Sequence, residues 1–176
     1  MPDRCRMPEQ LATAEGAPRR VGVEIEISGL GYEKLVAITA DLLGGKASEV
    51  SRYVSRIDTP FGEFTVELDS DPIKDLDLMD ERIPVTLRQL GGHAMDVIDY
   101  AAERLVPLEV VSPPIPFQKL EVIEQLVDQL REAGALGSRE AIFYAFGMQL
   151  NPELPGLDAN TLLRYLQTFA ALYDWL

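Results

Sequence analysis

The chain is poor in residues that carry redox, thiolate and imidazole chemistry: its 176 residues include one cysteine, one histidine and one tryptophan. A lone Cys5 excludes an intrachain disulfide and a cysteine-based zinc site, and its place in a polar leader marks it as incidental rather than catalytic. His93 is the only imidazole, which excludes a poly-histidine metal site. Basic residues are scarce too. Sixteen Lys and Arg stand against 29 Asp and Glu, a formal net charge of −13 that repels phosphate backbones and anionic lipid, so neither nucleic acid nor membrane is an expected partner. No apolar run approaches the roughly 18 residues needed to span a bilayer, and residues 1–20 carry no apolar stretch of the secretory type. A cytoplasmic protein is expected.

What is present is enough for one ordinary core, with 47% of residues hydrophobic. Residues 1–18 mix Pro, Arg, Glu, Gln, Ala and Gly with weak periodicity and predict a flexible tail, so the domain is expected to run from 19 to 176. Residues 21–27 alternate with period two: Val21, Val23, Ile25 and Ile27 face one side, Gly22, Glu24 and Glu26 the other. The spacing of Leu35, Val36, Ile38, Ala40, Leu42 and Leu43 predicts a helix over 32–43, stopped by Gly44 and Gly45. Strands are expected at 52–58 and 63–69 around a Thr59-Pro60-Phe61-Gly62 turn, and again at 108–111 and 141–151. Further helices are expected at 92–105, at 118–133, and from an Asp158 N-cap through Trp175. That last helix meets the terminus with no polar or glycine cap, which predicts either a shortened chain or an end docked into the core.

This order predicts an α+β fold with a largely antiparallel sheet, helices on one face and the other face open. The open face would collect Glu24, Glu26, Glu63, Glu67, Asp69, Glu109 and Gln149, with no basic residue from these strands among them. Carboxylates two residues apart on a strand are about 6.6 Å apart and repel by roughly 2 to 3 kcal/mol at an effective dielectric of about 20. One such strand is accounted for by a solvated surface. Recurrence on several strands leaves a solvated acidic face and a site for hard cations as equal alternatives, and for the latter oxygen-only ligation suits Mg²⁺ or Mn²⁺ rather than zinc.

Four stretches together resemble the putative amidoligase family, carboxylate-amine ligases of the glutamine synthetase and glutamate-cysteine ligase fold. They are Arg20-Val21-Gly22-Val23-Glu24-Ile25-Glu26, Val66-Glu67-Leu68-Asp69-Ser70, Leu108-Glu109-Val110-Val111-Ser112-Pro113-Pro114, and Phe146-Gly147-Met148-Gln149-Leu150-Asn151-Pro152. The resemblance implies a saddle-like sheet whose acidic concave face binds ATP and Mg²⁺ (or Mn²⁺) and joins a carboxylate to an amine through an acyl phosphate. Small-molecule or peptide substrates would supply the two groups. Carried over by position, Glu24, Glu26, Glu67, Asp69 and Glu109 would hold metal, and Gln149 would lie toward the nucleotide. Lys74, Arg52 and Arg56 are the nearest basic candidates for the nucleotide phosphates, with surface or turn roles favoured for each. Gln149 stands where the family typically places a histidine. A competing reading is a non-catalytic relative that binds a divalent cation or a protein partner through the acidic face; a hydrolase built on paired carboxylates ranks last.

Overall fold

A computed structural model of the chain describes residues 7–69, 107–136 and 147–175. In chain order these form β1 (Arg20–Ile27), α1 (Tyr32–Leu43), β2 (Lys46–Ser51), β3 (Val54–Thr59), β4 (Gly62–Leu68), β5 (Leu108–Val111), β6 (Ile115–Pro116), α2 (Glu121–Glu132), β7 (Met148–Pro152) and α3 (Ala159–Leu172). The expected helix over 92–105 and residues 141–146 of the expected fifth strand lie outside the described residues.

Period-two patterning becomes strand because it gives each segment one face to bury. On β1 the side chains of Val21, Val23, Ile25 and Ile27 are buried, and on β4 those of Phe64, Val66 and Leu68. Every pairing is antiparallel. β1 lies inside the sheet, since Val21 pairs with Ile115 of β6 along one edge and with Pro152 of β7 along the other. The sheet is open, and its strands run β2, β3, β4, β5, β1, with β6 continuing the β5 side and β7 on the far side of β1. The fold is α+β, as the patterning predicts.

α1 and α2 cover the apolar face. Leu35 and Leu43 of α1 and Ile123, Leu126 and Leu130 of α2 join the buried strand residues in one core. Gly44 ends α1 at φ +60, a left-handed conformation from which its N–H bonds back to the last turn. Gly45 is fixed by space instead: a Cβ there would lie 2.7 Å from Ile57 Cγ2 and 2.9 Å from the Asp58 carbonyl oxygen. Gly45→Ala is therefore expected to lower stability by about 1 to 3 kcal/mol in urea denaturation.

Three local results differ from the sequence expectation. β2 was not anticipated: Lys46 to Glu49 and Val50 are exposed, so no buried face imprints an alternation on the sequence. Its partner begins at Val54, not Arg52, after a two-residue turn. α3 starts where Asp158 caps it, with the Thr161 hydroxyl and N–H both donating to the carboxylate at 2.6 and 3.1 Å and holding its pKa below the usual range. However, none of the residues of α3 is buried, and Trp175 is 82% exposed rather than docked into the core.

Two polar groups join the segments that flank β1. Arg19 is buried, donating from Nε and Nη2 to the Glu153 carbonyl at 2.8 and 2.7 Å and from Nη1 to the Gln10 carbonyl at 2.6 Å. Its guanidinium also lies 5.2 Å from the centre of the Phe117 ring. Ser112 repairs the ladder where Pro113 and Pro114 interrupt it between β5 and β6. Its Oγ accepts from Val23 N–H at 2.8 Å, and its own N–H donates to the Val23 carbonyl at 2.8 Å.

Candidate carboxylate site

The strand registers place three glutamates in one row. Glu67 of β4 is directly opposite Glu109 of β5, and Glu109 is directly opposite Glu26 of β1. Side chains opposite one another on antiparallel strands have Cβ atoms about 4.5 to 5.5 Å apart, and like charges in that relation are destabilising. The next row contains Thr65, Val111, Glu24 and Gln149 across β4, β5, β1 and β7. Asp69 follows β4 by one residue, and its N–H bonds to the Pro107 carbonyl at 2.9 Å, which carries the β4–β5 pairing on to Asp69.

Glu109 sits at the middle of this group and is 9% exposed. Burial, followed by the negative charges of Asp69, Glu24, Glu67 and Glu26, pushes its pKa from 4.5 up to about 7. The four neighbours that act on Glu109 are the other four acids that the family resemblance assigns to metal. Glu63, also expected on this face, is drawn apart from them: it is opposite Asp58 of β3 and lies 3.5 Å from Arg56 Nε. Arg56 corrects the expectation of a face without basic residues, because its register with Thr65 puts it on the same side as the glutamates. Lys46, opposite Asp58, joins it. The face thus divides into an acidic end over β4, β5 and β1 and a mixed-charge end toward β2.

On the β7 side, Asn151 Nδ2 donates to Glu24 Oε1 at 2.8 Å, and Gln149 Nε2 donates to Asn151 Oδ1 at 3.2 Å. Gln149 lies opposite Glu24, next to the acids. Lys74 is outside the described residues. The contact of Asn151 with Glu24 depends on the pairing of β7 with β1, which the sequence of either strand alone does not reveal.

A model for the putative amidoligase enzyme family matches residues 17–176. The chain belongs to the amidoligase family. The match takes in every strand and helix described above and all five acids. Among curated proteins and among solved structures, none matches the chain. Family membership gives this amidoligase a ligase-type function at a coarse level. Its donor set on the acidic end is all oxygen, around a buried carboxyl whose pKa is raised by burial and by the negative charge of its neighbours, and this chemistry fits a hard divalent cation. Among the described residues, no group of three or more His, Cys, Asp or Glu side chains is arranged to hold a metal ion.

Proposed function

We propose that this amidoligase is an ATP-dependent carboxylate-amine ligase that works through an acyl phosphate. The observation carrying the proposal is the Glu67–Glu109–Glu26 row, three carboxyl groups set opposite one another on three strands, where like charges are destabilising. In this reading the substrate carboxylate attacks the γ-phosphorus of ATP, ADP leaves, and the amine displaces phosphate from the acyl carbon. Mg²⁺ or Mn²⁺ held by Glu24, Glu26, Glu67, Asp69 and Glu109 would neutralise charge on the transferring phosphoryl group. The protein's own part is to hold those carboxylates. Strands backed by a close-packed apolar core fix their Cα positions, and positive charge among the acids would offset the repulsion that raises the Glu109 pKa. Gln149 and Lys74 are assigned to the nucleotide side, and the sheet is taken as a relative of the glutamine synthetase and glutamate-cysteine ligase fold.

A second reading, a cation-binding or partner-binding relative without turnover, is favoured by one observation: Arg56, a basic side chain on this face, is engaged with Glu63. Titration calorimetry of the intact protein separates the two. Heat with ATP and Mg²⁺ together, exceeding that with either alone, is the expected result. Heat with Mg²⁺ alone and none with ATP would sink the ligase reading and leave the second.

A further inference from the structure

The carboxamides of Gln149 and Asn151 are a directed pair. An ionised Glu24 is purely an acceptor, so the Asn151 group at 2.8 Å from it has to be the NH₂. That orientation turns Asn151 Oδ1 the other way, where the 3.2 Å contact requires the NH₂ of Gln149. The two amides therefore form a relay in which Gln149 donates to Asn151 and Asn151 donates to Glu24. The backbone makes the reach possible. Asn151 is opposite Gly22, which offers no side chain across the strand, and it leans diagonally to Glu24 two residues along β1.

We propose that Asn151 is a positioning residue for Glu24, itself oriented by Gln149, and that the pair presets this carboxylate for a divalent cation. The inference rests on the cation reading of the acidic end. A carboxylate with one oxygen held by a neutral donor keeps its other oxygen and its full charge for the ion, and loses rotamer freedom before the ion arrives. A carboxamide does this with no charge of its own to compete with the cation and no titration across physiological pH.

The test is Mn²⁺ binding to the full chain, read by the paramagnetic resonance of free Mn²⁺ and by calorimetry. Asn151→Ala is expected to weaken Mn²⁺ binding by about tenfold or more, and Gln149→Ala by less. In a Glu24→Gln background, Asn151→Ala should add nothing, because its effect passes through Glu24. Melting without metal monitors folding separately, and Asn151→Leu, close in shape and well suited to a strand, repeats the measurement if the alanine variant is unstable. Additive losses in the double variant, or unchanged affinity in both Asn151 variants while Glu24→Gln weakens binding, would overturn the positioning role alone. Absence of Mn²⁺ binding in the parent protein would overturn the cation reading and this inference with it.

Discussion

Glu109→Gln should make the metal-free protein more stable at pH 8 by about 3 kcal/mol, with little change at pH 4. Below pH 4.5 the carboxyl of Glu109 is protonated in both folded and unfolded chains, so it contributes no pH dependence. Between 4.5 and about 7 the unfolded chain releases this proton while the folded chain retains it. Stability therefore falls as pH rises through that window, by about 1.4 kcal/mol per pH unit, and levels off above it. A glutamine keeps the shape, has no proton to lose, and can donate to the acids that face it. Urea denaturation of both proteins at a series of pH values checks the sign and the midpoint. Parallel stability curves for parent and variant would mean that Glu109 is not the strained carboxyl that burial and its four acidic neighbours make it.

The companion prediction runs in the opposite direction once a cation is supplied. In the parent protein, Mg²⁺ or Mn²⁺ at about 100 times its dissociation constant should add about 2.7 kcal/mol of stability, because the ion binds the folded chain and not the dispersed acids of the unfolded one. Glu24→Gln combined with Glu26→Gln should abolish that increment, while the metal-free protein becomes no less stable. Glu63→Gln is the control, since Glu63 lies with Arg56 away from Glu109, and it should leave the metal increment intact. Thermal melts with and without Mn²⁺ provide the readout. An undiminished increment in the double variant would remove β1 from the cation site altogether.

Together these outcomes define a trade between stability and binding: the same repulsion that weakens the empty fold would create its affinity for positive charge. Single substitutions to the neutral amide should therefore score as stabilising in any screen that lacks the ion. A screen of that kind would remove these residues.

The sequence revealed an element where one residue had one reason to be there. α1 was legible to the residue because its apolar spacing ends at Gly44, and β1 because Val21, Val23, Ile25 and Ile27 need a core. The cap at Asp158 was legible because a short polar side chain there accepts from the free N–H groups of a helix start. β2 was not, as an exposed edge strand with the sequence Lys46-Ala47-Ser48-Glu49-Val50-Ser51 has no burial pattern to reveal it. The position of Arg56 was missed because its face depends on register with Thr65, a relation between strands that no single segment records. For the same reason the site was legible as a list of acids but not as an arrangement. That Glu67, Glu109 and Glu26 fall in one row, and that Asn151 reaches Glu24, are facts about pairing.

β1 bears acids on one face and the inner core on the other, and this division has a consequence for how the chain finds its fold. A slip of β1 by a single residue against β5 would turn Glu24 and Glu26 into the space of Ile25 and Ile27, burying two carboxylates among Leu, Ile and Phe and exposing the aliphatic side chains to water. Misaligned pairings of this strand are thereby penalised twice over, once for each face. The glutamates that disfavour the correct sheet by repulsion also disfavour the incorrect alignments by much more, so they act as a proofreading device during assembly.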